Sequence, residues 1–163
     1  MSTDDELDAL YAELPTIDCQ GHCWNSCGPI HMTGAEQQRI RRAGVHIPNQ
    51  LYSETGPMTC PALTMFHQCG VYEARPLICR MWGATRKLRC NYGCKPERYL
   101  TEREVVEFMT RAHEIAGETK EAELGRRALA MPDFDERQRQ AGKVIDAKYD
   151  YLLYRNNGGS ITR

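Results

Sequence analysis

No stretch of the 163 residues approaches the roughly 18 consecutive apolar residues that a membrane helix needs, so no membrane span is expected. The N-terminal segment carries Asp4, Asp5, Glu6 and Asp8, where a secretory signal needs positive charge followed by an apolar run. A cytoplasmic location is therefore expected. Neither sign of charge dominates: the formal net charge is -1, which marks neither a nucleic-acid binder nor a membrane-surface binder. There is no Gly-rich phosphate loop, no G-x-G-x-x-G and no Ser/His/Asp arrangement, so no common catalytic motif announces an enzyme. Internal repeats and low-complexity tracts are absent. The last 69 residues contain no cysteine, and nowhere does a CxxC pair occur.

Cysteine is nonetheless the most informative residue present. All eight cysteines fall between Cys19 and Cys94. In a reducing compartment such density is better explained by metal ligation than by disulfides. Simple burial is the other alternative, since cysteine packs well in cores. Against it, many of these cysteines stand beside Gly or Pro, and none lies in a clear amphipathic helix. The first group is Cys19, Cys23 and Cys27, spaced CxxxCxxxC. On a straight helix the outer two would be ~12 Å apart at about 1.5 Å per residue. A single ion holds sulfur at about 2.3 Å, so the segment should be a folded loop. The second group is Cys60-Pro61, Cys69-Gly70 and Cys79-Arg80, followed by Cys90 and Cys94.

Thiolate clusters carry excess negative charge. Arg75 and Arg80, flanking Cys79, are candidates to offset it and to donate hydrogen bonds around the ligands. Arg75 could instead pair with Glu73 on the surface. His22 and His67 are further candidate ligands by proximity, whereas His31, His46 and His113 read as ordinary surface or half-buried residues. Trp24 and Trp82 flank cysteines and are expected to shield the site. All-thiolate ligation favours Zn2+ or an iron–sulfur cluster (4Fe-4S) over magnesium or calcium. Zinc knuckles usually use CxxC pairs, while Cys60-Pro61 matches the Cys-Pro step of ferredoxin cluster motifs. Both cofactors stay open. A radical-SAM site fails on spacing and on length.

These elements together resemble the YkgJ-like cysteine-cluster family, described as zinc- or iron-chelating domains. The resemblance rests on Cys19, Cys23 and Cys27-Gly28, on Glu36, on Cys60-Pro61-Ala62-Leu63, on Cys69-Gly70-Val71-Tyr72-Glu73 and on Arg75-Pro76-Leu77-Ile78-Cys79-Arg80. It covers about residues 17–82. Relatives commonly end the first cluster in a Cys-Cys pair, where this chain has Cys27-Gly28; Cys90 and Cys94 could replace the missing ligand. Some larger relatives are linked to methylation of flagellin lysines, which the resemblance alone does not carry to this chain.

The expected architecture is a single domain over 1–163, α+β but mostly helical and loop-rich. A cysteine-ligated metal-binding half, about 17–96, holds a short hairpin and packs on C-terminal helices over about 101–155. Apolar spacing predicts a helix over 3–14. Thr33 with Glu36 and Thr101 with Glu104 make capping boxes that open two more helices, the first ending at Gly44. Gly117 is placed to interrupt the second, and Pro132 to end the helical stretch beyond that break. A last helix is expected from about 133 to 155, with a disordered tail over 156–163. ALTMF and GVYEA read as strands joined by a turn near His67–Gln68.

Three classes of function remain: a metal-binding protein with a structural or redox centre; a metal-dependent enzyme, either an oxidoreductase or a protein-modifying methyltransferase; and a partner-binding module. Between Glu73 and Arg98 seven basic residues face two acids, yet such a run is usually a solvated face, so nucleic acid is disfavoured and a protein partner stays open. Among the cysteines, Cys19, Cys23 and Cys27 are expected to share one centre with Cys79, leaving Cys90 and Cys94 to a second.

Overall fold

The computed structural model describes residues 1–28, 30–47, 59–90 and 92–141. The protein is α-rich. Its elements are α1 (Thr3–Ala12), α2 (Gly34–Arg42), α3 (Leu77–Met81), α4 (Glu102–Ile115) and α5 (Thr119–Leu129), with short 3-10 turns at His22–Ser26 and Tyr72–Ala74.

Local chemistry explains where the helices start and stop. Ser2 caps α1 through a reciprocal pair with Asp5, and the helix stops at Glu13, just before Pro15. Thr33 with Glu36 and Thr101 with Glu104 form complete capping boxes at α2 and α4. The Arg98 side chain and the Thr101 amide, both bonded to Glu104, lower that carboxyl to about 2. At the end of α4, Gly117 adopts φ +74, a left-handed conformation that costs a glycine little, and α5 starts two residues later. Residues 134–141 are helical; the remainder of the helix expected to reach 155, and the tail after it, lie outside the described residues.

The first core joins α1, α3 and α4. Leu7, Leu10 and Tyr11 pack on Leu77, Met81, Ala84, Leu100, Phe108 and Ala112. A second, smaller core of Met32, Ile40, Ile47, Ala62 and Val71 lies beside it, and Cys60 and Cys69 pack against this one. Glu118 secures the α4–α5 corner: it accepts the Gly34 amide at the start of α2 at 2.7 Å and meets Nδ1 of the buried His113 at 2.5 Å. His113, read from the sequence as a surface or half-buried residue, is therefore a buried member of that corner.

The α4–α5 packing yields a direct test. A Cβ at Gly125 would stand 2.0 Å from Thr110 Oγ1 and 3.0 Å from Thr110 Cβ. Gly125→Ala should lose stability through overpacking, typically about 1–3 kcal/mol. Alanine's better helix propensity returns up to about 1 kcal/mol of that. Urea denaturation should show a lower midpoint at unchanged slope; a raised midpoint would mean that the helices separate without cost.

The expected strands are corrected. ALTMF forms one antiparallel bridge, Leu63 with Cys69, the residue just before GVYEA, and among the described residues only isolated bridges occur. The turn is tight. His67 sits at φ 61, and the Thr64 amide reaches the Gln68 carbonyl at 2.9 Å. The Gly70 amide reaches the Ala62 carbonyl at 2.8 Å, after which Tyr72–Ala74 winds into a 3-10 turn ahead of Pro76. β-propensity is overridden by this winding, so the α+β expectation reduces to an α-rich fold. No helix among the described residues is long and apolar enough to cross a membrane.

Candidate metal centre

The box Arg75-Pro76-Leu77-Ile78-Cys79-Arg80 is held in place by a buried carboxylate. Pro76 precedes α3, and the Leu77 amide donates to Glu36 Oε1 at 2.6 Å. The same carboxylate accepts the Tyr11 hydroxyl at 2.8 Å, the Thr33 amide at 2.8 Å and the Thr33 hydroxyl at 2.9 Å. Glu36 thus ties α1, α2 and α3 together. Burial, with the Glu36 charge beside it, pushes the Tyr11 hydroxyl far upward, so Tyr11 remains a donor.

Cys79 stands on α3, two residues beyond this anchor in the chain. Burial pushes its thiol up to about 12; the charges of Cys60, Cys69 and Cys27 push the same way, and Arg75 opposes them. Those four sulfurs come from three separated segments. The backbone joins two of these segments: the Cys60 amide donates to the Cys27 carbonyl at 3.0 Å, and Cys69 bridges Leu63. Burial also raises Cys60, against a lowering from the Ala62 and Leu63 backbone; the Leu63 amide itself donates to the Cys60 carbonyl at 3.0 Å. Each of these cysteines is half-buried.

The remaining cysteines gather elsewhere. Cys19 accepts the Gly21 amide at 3.4 Å, and Cys90 accepts the Tyr92 amide at 3.4 Å. The Gln20 backbone lowers the Cys94 thiol, but burial with Cys90 and Cys19 nearby outweighs it and leaves that thiol raised. The two loops are zipped by the Ile17–Pro96 bridge and by the Glu97 amide on the Thr16 carbonyl at 2.9 Å. Gly83 makes this approach possible. It sits at φ +86, and a Cβ there would meet Ile17 Cδ1 at 2.3 Å. The side chain of Cys23 lies outside the described residues.

Seven cysteines, Cys19, Cys27, Cys60, Cys69, Cys79, Cys90 and Cys94, are thiols rather than halves of a disulfide. Among the described residues no three His, Cys, Asp or Glu side chains stand close enough as placed to hold a metal ion.

The flanking residues have definite places. Arg75 lies over the Tyr72 ring at 3.6 Å and donates to the Tyr72 carbonyl at 3.0 Å. Arg80 turns to the carbonyls of Arg75 and Glu73, at 2.8 and 2.6 Å, and its guanidinium covers the Tyr11 ring at 4.4 Å. Arg75 is thus the cation acting on Cys79, while Arg80 braces the loop. His67 stacks on Trp24 at 3.6 Å between centroids, joining the Cys27 loop to the Cys60–Cys69 turn. His22 meets the Tyr92 ring edge-on at 5.8 Å. Trp82 is half-buried next to Gly83.

The basic run is largely engaged within the chain. Besides Arg75 and Arg80, Lys87 pairs with Glu102 at 2.7 Å and Arg98 with Glu104 at 2.8 Å. Arg86 and Lys95 face solvent.

No protein-family model matches the chain, and neither a curated protein nor a solved structure is significantly similar to it.

Proposed function

We propose that this is a metal-binding cysteine-cluster protein in which Cys27, Cys60, Cys69 and Cys79 hold an iron–sulfur cluster or zinc in a structural or redox role. The observation that supports it is a backbone arrangement that joins the cysteine segments: the Cys60 amide donates to the Cys27 carbonyl at 3.0 Å, Leu63 bridges Cys69, and all four cysteines are half-buried. As thiolates they would repel, and a bound cation relieves that repulsion while reversing the upward push on Cys60 and Cys79. Arg75 supplies part of the compensation, and the Ala62 and Leu63 backbone lowers the Cys60 thiol against its burial. The resemblance to the YkgJ-like family points the same way.

Between the two cofactors, the lack of any CxxC knuckle leans towards iron–sulfur. Anaerobically purified protein should then be brown, with a broad absorption near about 400 nm and with iron and sulfide in equal amount, as charge transfer in a thiolate-bound cluster demands. Colourless protein with stoichiometric zinc assigns the centre to zinc. Protein that retains neither metal, and takes up neither on reconstitution, refutes the proposal.

A further inference from the structure

We propose that the Trp24–His67 stack is a clasp that closes the Cys27 loop on the Cys60–Cys69 turn and sets how readily the thiols of Cys27 and Cys69 are reached from outside. It rests on the proposed function for one consequence only: where these thiols hold a metal, the clasp also sets how long the metal stays.

The two rings lie nearly parallel, 3° apart in plane and 3.6 Å between centroids. Each belongs to a short turn that carries a cysteine. Trp24 sits in the 3-10 turn His22–Ser26, and the Cys27 amide closes that turn on the Trp24 carbonyl at 3.1 Å. His67 sits in the tight turn that leads to Cys69. Its amide donates to the Thr64 carbonyl at 3.0 Å, and the Gln68 amide donates to Thr64 Oγ1 at 3.2 Å. The rings are therefore handles on the two cysteine segments.

Core packing does not account for the pair. Trp24 is 39% exposed, His67 is exposed as well, and neither belongs to an apolar core. The His67 backbone points the same way. At φ 61 it is the one non-glycine residue with positive φ among the described residues. A side chain in that region costs energy that a glycine would not, and it persists where its surroundings hold it there. The stack on Trp24 is what the His67 ring gains in return. The same two segments are also joined by the Cys60 amide on the Cys27 carbonyl at 3.0 Å. That bond joins them at half-buried cysteines, and the stack joins them again at exposed side chains. One joint leaves a hinge; two hold the loop shut. A half-buried thiol reacts in proportion to the population in which its cover is open, so the second joint controls reactivity.

The test uses the full chain, reduced and free of metal. Iodoacetamide is added, and the rate at each cysteine is read by peptide mass. Trp24→Ala and His67→Gly should each speed alkylation of Cys27 and Cys69 by about 2–10-fold, the size expected from losing one aromatic pair. Cys19, Cys90 and Cys94 should keep their rates. Trp24→Phe retains a ring and should restore most of the shielding. The double variant should go no further than the larger single effect, because both substitutions remove one contact. Protein loaded with Zn2+ and challenged with a chromophoric chelator should release the ion faster in Trp24→Ala than in Trp24→Phe. His67→Gly gives the sharpest outcome, since glycine relaxes the backbone at this position. Unchanged or slower alkylation of Cys27 and Cys69 in that variant would overturn the clasp. An equal rise at Cys19, Cys90 and Cys94 would overturn it too, as general loosening. Selective alkylation in a protein that takes up neither zinc nor an iron–sulfur cluster would support the clasp and overturn the proposed function alone. Zinc uptake with equal release from wild type and Trp24→Ala would overturn the control of metal retention.

Discussion

Glu36→Ala should cost about 3–5 kcal/mol of folding stability, the size ordinary for breaking a buried charged network by removing one partner. Four donors converge on this carboxylate from three parts of the chain: the Tyr11 hydroxyl, the Thr33 amide, the Thr33 hydroxyl and the Leu77 amide. Glu36 is 2% exposed, so water does not replace what the substitution removes. Each orphaned donor carries a desolvation cost of about 1–3 kcal/mol, softened where the Thr33 hydroxyl rotates to another acceptor. In a chain of this size the melting temperature should drop by on the order of 10 °C, at about 2–4 °C per kcal/mol. Glu36→Gln keeps one acceptor oxygen but turns an NH2 group towards donors, so it should fall between wild type and alanine. Leu77 lies two residues before Cys79, and the substitution should also weaken metal retention by loosening α3. A Glu36→Ala protein whose urea midpoint implies a loss below about 1 kcal/mol would show that the network is not holding these helices together.

The role of Glu36 also shows what the sequence could and could not disclose. Its capping box with Thr33 was legible, because a box is complete within four residues. Its bonds to Tyr11 and Leu77 span 25 and 41 residues, and no local pattern encodes such a meeting. Gly117 was legible as a break for the same local reason. The helix α3 was not, because five residues opened by Pro76 offer too little periodicity to detect. The two strands failed differently: ALTMF and GVYEA have strand-forming residues, but a left-handed His67 and the 3-10 turn after Val71 leave room for one bridge.

Cysteine grouping is the sharpest case. Closeness along the chain favours Cys19, Cys23 and Cys27 as one set. Two long-range backbone contacts, Cys60 on Cys27 and Ile17 with Pro96, place the loops that carry Cys27 and Cys19 against different segments, which no local spacing encodes. The Trp24–His67 stack had a faint signal, an aromatic and an imidazole each next to or between cysteines, and it joins the segments that those cysteines occupy.

Removing the metal should unfold the protein unevenly. The first core, built from α1, α3 and α4, contains no cysteine, and it should keep α1, α4 and α5 helical in the stripped protein. The second core has five buried residues and relies on Cys60 and Cys69 packed at its edge. So small an apolar cluster does little against a backbone entropy cost of about 1–2 kcal/mol per ordered residue. Thiolate ligation of a structural metal supplies about 10–16 kcal/mol in small peptides at neutral pH. That is as large as the roughly 5–15 kcal/mol net stability of a whole domain, so ligation would dominate wherever the apolar core is thin. Hydrogen exchange should resolve the two regions. After chelation the Cys60 amide on the Cys27 carbonyl and the Gly70 amide on the Ala62 carbonyl should lose protection, while amides within α4 keep theirs. Circular dichroism should fall only in part. Cys79→Ser should reproduce this pattern without chelator, because a serine hydroxyl is a poor ligand for a thiophilic ion. Cys94→Ser should leave the Cys60 and Gly70 amides protected. If stripped protein keeps its full thermal transition and both amides stay protected, the metal does not hold the second core, and its packing is sufficient by itself.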